Sequence, residues 1–301
     1  MSETPFALLS ESIEAAAAAA SALVAAVTWT RQTQISGLLI RPGVLVTSEQ
    51  SLGDADVYEA VLPGGGRVPA ALAGRDPATN VAVLRLDPAT PGSAPGAVGA
   101  GEARGLGALV LAIGSDGEGG ATARLGGIEV LGPAWESRRG GRIDRLIRLG
   151  VRLPPAAEGG PVIDARGAVL GMSTFGPRRG VMVIPTATIQ RAVDQALSGA
   201  GMARGWLGVG LHEVELPRDL AERVGAAAGL MVVALADRAP AAGALLPGDI
   251  LTALDGRRVT EVRDVAALLG PETVGRAVVV AVVRGGVMSE IRVTVAARPG
   301  R

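Results

Sequence analysis

Between Gly37 and Pro185 the apolar residues come in short runs, nearly every one closed by Gly, Pro or an Asp-containing turn. That punctuation leaves no room for long helices, so the element that fits is the short β-strand. "SGLLIRPGVLVTSEQ" reads as strand, Pro-Gly turn, strand. "VYEAVLPGGGRVPAALAGRDPATNVAVLRLD" adds three more strands, with turns at Pro63–Gly66 and Asp76–Thr79. After a Pro/Gly/Ala connector at 87–105, strands resume at "LGALVLAIG", "RLGGIEVLG", "DRLIRLGV", "GPVID", "AVLGMSTFG" and "GVMVIP". Two sets of short strands on either side of a connector predict a mostly β fold with a pair of small barrels. The filling has to be fine-grained, because the 48% hydrophobic content includes only three Trp, one Tyr and two Phe.

The flanks read differently. Residues 13–29, "IEAAAAAASALVAAVTW", are shorter than the run of about 20 apolar residues that spans a bilayer. Glu3, Glu11 and Glu14 stand where a secretory signal carries basic residues. Alanine's helix propensity predicts an N-terminal helix running into a strand. With no membrane span and no export address, the expected compartment is the cytoplasm if Met1 is the native start. "TATIQRAVDQALSGAG", from Thr186, places apolar residues at 189, 193 and 197 and reads as a capped helix. A separate module follows, from Arg204 to Ala297.

Absences narrow the chemistry. The formal net charge is zero, from 29 basic and 29 acidic residues, and no basic tract marks a nucleic-acid partner. There is no cysteine, which excludes disulfides, thiolate nucleophiles and cysteine-rich zinc sites. No metal and no cofactor are expected. Every basic residue is arginine, and His212 is the one histidine. Ser-His-Asp, Cys-His or Ser-Lys chemistry must therefore recruit His212 or do without.

At these residues the chain resembles the HtrA/Deg-type family, a trypsin-like double β-barrel followed by a PDZ domain. "GLLIRPGVLVTSEQSL" is similar to the family's glycine, strand, turn and "VTxxHVV", and "GRDPATNVAVLRLD" to its "GRDPxTDLAVLKL". "LVLAIG" and "AAEGGPVIDARGAVLGMSTFG" correspond to its "VVAIGNP" and "GNSGGPLVxxxGxVVGINT". The resemblance implies a helix and lead-in strand over 1–34, the barrels over 35–185, a linker helix over 186–203 and a PDZ domain over 204–297. Carried across residue by residue, the family's general-base histidine falls on Gln50, its orienting aspartate on Asn80 and its nucleophilic serine on Glu158. A glutamine has no basic lone pair for a hydroxyl proton, and an asparagine cannot stabilise an imidazolium. A carboxylate is a poor acyl acceptor in peptide hydrolysis.

The glycine two before the serine, which shapes the family's oxyanion hole, is Ala156. If that position takes a positive φ, alanine resists it by about 1 kcal/mol. Glu158 is expected to fill the vacated serine–histidine space, accepting from backbone N–H groups or from Gln50. Ser48, Ser51 and Ser173 read as ordinary loop or strand hydroxyls. A carboxylate pair such as Glu49 with Glu158 could in principle act as acid and base.

The C-terminal module resembles the family's PDZ domain. Residues 239–259, "APAAGALLPGDILTALDGRRV", follow its "SPAxxAGLxPGDVIxxxNGxxV". The resemblance places the carboxylate-binding loop at Trp206, Leu207, Gly208 and Val209, where successive backbone N–H groups converge on a peptide's terminal carboxylate. A peptide would add as a strand beside 209–212, with Leu207, Val209, Val265 and Leu269 walling an apolar pocket and the last two on one face of helix 261–269. Arg204 would assist the carboxylate, His212 would lie on the groove strand, and Trp135 and Trp206 would serve packing first. The expected function is a catalytically inactive HtrA-like protein that binds peptides or protein C termini through its PDZ domain as scaffold or regulator. The resemblance implies homo- or hetero-oligomers with related proteases through the barrels, and the family it names is often extracytoplasmic. Two other readings stand beside this one: a serine endopeptidase working by an unrecognised constellation, and a structural subunit with a closed groove.

Overall fold

The computed structural model describes residues 4–30, 33–93, 101–103, 105–137, 139–198 and 205–297. They fall into two compact units, residues 1–135 with 142–200 and residues 136–141 with 201–301.

The first unit opens with α1 (Pro5–Ser21), where Thr4 accepts the Ala7 N–H and Pro5 starts the first turn. The first barrel consists of β1 (Val24–Thr30), β2 (Thr33–Arg41), β3 (Val44–Ser48), β4 (Tyr58–Val61), β5 (Arg67–Asp76) and β6 (Val81–Arg85). They close in the order β1-β2-β3-β6-β5-β4, with β1 pairing β4. The boundary expected at residue 35 therefore falls inside this barrel. The chain from Val24 is its first strand, because a closed sheet needs a partner for the free edges of both β2 and β4. Leu23 to Val27 are buried, and their small side chains fit a narrow interior.

The second barrel consists of β7 (Leu109–Ser115), β8 (Ala121–Gly132), β11 (Leu146–Leu149), β12 (Pro161–Asp164), β13 (Val169–Phe175) and β14 (Val181–Pro185). The short pair β9 (Trp135–Glu136) and β10 (Arg142–Ile143) interrupts its sequence order. The barrel closes as β11-β14-β13-β12-β7-β8 around Val110, Ala112, Ile128, Ile147, Val162 and Val183. The helix expected as a linker is α2 (Thr186–Leu197), and it is barrel structure rather than spacer: Ile189, Ala192 and Val193 are buried. Thr186 does not cap it; its hydroxyl donates to the Val169 carbonyl on β13 at 3.0 Å. Residues 199–203 of the expected linker, and Arg204, lie outside the described residues.

The second unit contains β15 (Gly205–Trp206), β16 (Val209–Glu215), α3 (Arg218–Val224), β17 (Ala228–Leu235), β18 (Ile250–Leu254), β19 (Arg257–Arg258), α4 (Val262–Leu268), β20 (Ala277–Arg284), β21 (Val287–Thr294) and β22 (Ala296–Ala297). Its main sheet runs β16-β17-β18-β20-β21, with β16 and β21 as edges. The core gathers Leu230, Val232, Leu245, Leu251, Val280 and Val282.

Asp249, only 2% exposed, ties the turn before β18 to β20. Arg284 donates to it through Nε at 2.8 Å and through a terminal nitrogen at 2.7 Å, and the Leu246 N–H adds a third bond at 2.8 Å. These bonds, the Arg284 pair foremost, hold the Asp249 carboxyl below its ordinary value of 3.8. A depressed folded-state pKa gives stability that is complete above the unfolded value and lost as pH falls through the folded one. Acid should therefore loosen this unit below about pH 4. Asp249→Asn should cost about 2 kcal/mol at neutral pH, less than the roughly 3–5 kcal/mol of a fully buried pair because Arg284 reaches solvent. Hydrogen exchange of the β17 and β18 amides against pH measures both effects, and the variant should lose part of the acid dependence.

Candidate functional site

Two local devices aim the site residues of the first barrel. Asp76 accepts the Ala78 N–H at 3.0 Å and the Thr79 hydroxyl at 2.6 Å, folding the Asp-Pro-Ala-Thr turn that delivers Asn80. Asn80 sits at φ 60°, a conformation Asn tolerates better than most residues. Arg75 donates to the Leu52 carbonyl at 3.0 Å and to the Gly53 carbonyl and Tyr58 hydroxyl at 2.8 Å. It thereby pins the segment that follows β3, where Glu49–Ser51 form a single 3-10 turn. Glu49 faces Arg75 at 3.6 Å.

In the second barrel Pro155–Ala157 form another 3-10 turn, and Glu158 follows it. The Ala157 N–H donates to the Pro154 carbonyl at 3.0 Å and the Glu158 N–H to the Pro155 carbonyl at 3.1 Å. The Glu158 carbonyl accepts the Ser36 N–H at 2.9 Å, so both backbone groups of this residue are taken. The positive φ belongs to Gly159, at 92°, and not to Ala156, which lies inside the 3-10 turn. The strain expected at Ala156 is therefore absent; the alanine suits the turn that is there. Gly159 and Gly160 are required by close approach: a Cβ on them would run into the carbonyls of Ser36 and Ile113 respectively.

Glu158 is 3% exposed and stands between the barrels. Its Oε1 accepts from the Ser48 hydroxyl, the Gln50 amide and the Thr174 hydroxyl, each at 2.8 Å, and from the Phe175 N–H at 3.1 Å. Its Oε2 accepts from the Ser51 hydroxyl. Asn80 completes the cluster. Its Oδ1 accepts the Gln50 N–H at 2.7 Å, and its Nδ2 donates to Thr174 at 2.6 Å and to Ser48 at 3.0 Å. The second hydrogen on Gln50 Nε2 serves the Phe175 carbonyl at 2.9 Å. Every group that faces Glu158 can donate, which is the arrangement a buried carboxylate needs. No ion pair reaches it among the described residues.

The structure thus brings Gln50, Asn80 and Glu158 together. Ser48 and Ser51 are not ordinary loop hydroxyls but two of the five donors to the carboxylate. Thr174 was missed altogether. Ser48 and Ser51 flank Gln50, a spacing that could have flagged them; nothing in the order of residues points to Thr174, which arrives by the return of β13. Ser173 turns away and donates to the Ala157 carbonyl at 3.1 Å.

Glu158→Ala should destabilise this unit by about 2–3 kcal/mol, since it strands several buried donors. Glu158→Gln keeps one acceptor oxygen for the crowded side and should cost about 1 kcal/mol. Thermal melts of both variants check the order. An unchanged or raised midpoint for Ala would mean the site is solvated.

In the second unit, loop 206–209 is held by its own carbonyls: Leu207 accepts the Ala241 N–H at 3.1 Å and Gly208, at φ 75°, the Ala236 N–H at 2.8 Å. Trp206 pairs with Ala296. Of the four expected pocket walls, Leu207, Val265 and Leu269 are 2%, 5% and 6% exposed and belong to the core; Val209 is half-buried against it, beside Leu211. The side chains of these three are therefore core, not the open walls expected of them. Helix α4 ends at Leu268, so Leu269 caps it. His212 is exposed on β16.

The Trypsin-like peptidase domain family matches residues 35–172, and the PDZ domain family matches residues 205–295. A probable periplasmic serine endoprotease, DegP-like, from Brucella suis is 32% identical over 276 residues, covering 88% of this chain and 53% of that one. Its counterpart in Pseudomonas fluorescens is 30% identical and covers 88% and 56%. The chain therefore spans about half the length of these curated relatives. Among solved structures, an HtrA-type protease AlgW with tripeptide superposes with a TM-score of 0.68 at 27% identity, over 95% of this chain and 97% of that one. The serine endoprotease from Yersinia pestis shares the fold, with a TM-score of 0.73 at 21% identity over 99% and 100%.

Proposed function

Since the chain belongs to the HtrA/DegP family of trypsin-like peptidase domains joined to a PDZ domain, we propose that it is a catalytically silent member working by peptide recognition, as scaffold or regulator. The observation that carries this reading is the hydrogen-bonded cluster around Glu158. The residues at the family's base, orienter and nucleophile positions are Gln50, Asn80 and Glu158, and they are engaged with one another and with Ser48 and Thr174. Gln50 and Asn80 cannot take a hydroxyl proton, and the Glu158 carboxylate, occupied by five donors, is a weak base and a poor acyl acceptor. The N–H of the nucleophile position, which stabilises the oxyanion in such sites, is given to Pro155. Retaining a fold while filling its reactive space with a satisfied carboxylate suits a structural use of the barrels.

Recognition then falls to the PDZ domain. Among the described residues strand β16 is an edge that pairs only with β17, which leaves its outer side for an added strand. The loop at 206–209 stands at the start of that edge, with Val209 and Leu211 exposing apolar surface beside it. Free C termini ending in Val, Leu, Ile or Ala are the ligands this arrangement fits. Assembly through the barrels, with itself or with an active relative, would let it regulate proteolysis it does not perform. No helix among the described residues is long and apolar enough to cross a membrane.

The test is incubation of the purified protein with unfolded casein and with a serine-directed fluorophosphonate probe. Neither cleavage nor labelling is expected. Cleavage that persists through chromatography and disappears on substituting a named residue of this chain would overturn the reading.

A further inference from the structure

The groove strand changes character along its length. Its first residues on the core-facing side, Val209 and Leu211, are apolar and pack against the core. Side chains on a strand alternate, so Glu213 and Glu215 project from the same side two and four residues further on. Both are exposed, and neither makes an ion pair among the described residues. The nearby charges are already engaged: Arg263 pairs with Glu261 at 2.7 Å, and Asp264 accepts the N–H groups of Thr260 and Glu261 at 2.9 Å. Among the described residues the Glu213 carboxylate accepts one hydrogen bond, a long one from the Val262 N–H at 3.5 Å. That contact places its carboxylate beside the start of α4, at the end of the groove away from the carboxylate-binding loop.

A peptide that adds antiparallel to β16 must set its residues opposite those of the strand in reverse order, and directly opposed residues share a face. With the terminal residue opposite Val209, the residue two before it faces Leu211 and the residue four before it faces Glu213. The first two positions meet apolar surface. The third meets an unpaired carboxylate. We propose that Glu213 is a specificity-determining residue, selecting peptides that carry arginine or lysine four positions before the C-terminal residue. An arginine there would offer paired donors in place of the long Val262 contact, whereas an acidic residue would oppose a like charge across the strands. Glu215 extends the same preference to residues still further upstream. This inference rests on the PDZ groove binding C termini at all, and the experiment separates the two.

Fluorescence anisotropy of labelled peptides ending in Val, with Ala two before the end and Arg, Ala or Glu four before it, measures the preference. In the intact protein at low salt, Arg should bind roughly tenfold more tightly than Glu, with Ala between, and added salt should compress the series. Glu213→Arg should reverse the order, and Glu213→Gln should flatten it, while the Ala peptide binds all three proteins alike. Equal binding of the Arg and Glu peptides would overturn the assignment to Glu213 and leave C-terminal recognition standing. Failure of every peptide, in the presence of intact far-UV circular dichroism, would overturn both.

Discussion

Substituting Gln50→His, Asn80→Asp and Glu158→Ser together is expected to leave peptide hydrolysis at least about 10⁴-fold below that of a family member with an intact triad. Restoring the side chains does not restore the backbone around them. Pro154 and Pro155 favour the 3-10 turn, and that turn consumes the Glu158 N–H on the Pro155 carbonyl. An oxyanion forming next to residue 158 would find that donor already spent. Loss of one such donor costs about 10²–10³ in rate. The new serine would also leave the donors that now converge on the carboxylate, among them Ser51 and Thr174, without their acceptor. A new imidazole would enter a cluster shaped for an amide. Casein cleavage and fluorophosphonate labelling of the triple variant measure the outcome, with folding checked by its melt. Activity within tenfold of an intact relative would show that the turn opens easily and that side chains alone silence the site.

Amidating a peptide's C terminus should abolish most of its binding to the PDZ domain. A free C-terminal peptide with an apolar last residue is expected to bind with micromolar affinity, about −8 kcal/mol. In the proposed groove the loop's N–H groups would take a carboxylate as acceptor, and a neutral amide both removes the charge and adds donors where donors already point. A loss of at least about 100-fold corresponds to roughly 3 kcal/mol, in the range of a lost charge-assisted site. Val209→Glu should do the same from the protein's side, because Val209 is half-buried at the groove edge and not sunk in the core. Leu207→Glu is the poorer probe: Leu207 is 2% exposed, so a charge there would unfold the domain whose binding is being measured. Titration calorimetry with the free and amidated peptides decides the matter. Equal affinity for the two would point to recognition of internal segments.

The order of residues alone determines the architecture, and does so through punctuation. Gly and Pro recur too often for helices between residues 37 and 185, and the apolar runs between them are too short for anything but strands. It also narrows the chemistry, since a chain without cysteine or lysine has no thiolate and no lysine amine, and its single histidine, His212, falls outside the barrel sequence. It could not reveal that Val24–Thr30 closes the first barrel, because membership in a closed sheet depends on which edges lack a partner. Nor could it show that α2 packs on the barrels, since an amphipathic helix carries no mark of the surface it covers.

The candidate site divides the same way. Gln50, Asn80 and Glu158 were legible by resemblance, one at a time. Their meeting with Ser48, Ser51 and Thr174 is a product of tertiary structure, because the donors come from two barrels and from positions up to 126 residues apart. The same holds at Ala156, where sequence pattern suggested strain and the fold chose a different turn. Local order specifies the turn, the strand and the missing base. Which buried oxygen finds which hydrogen is settled only when the two sheets close on each other and exclude the water that would otherwise serve every group equally.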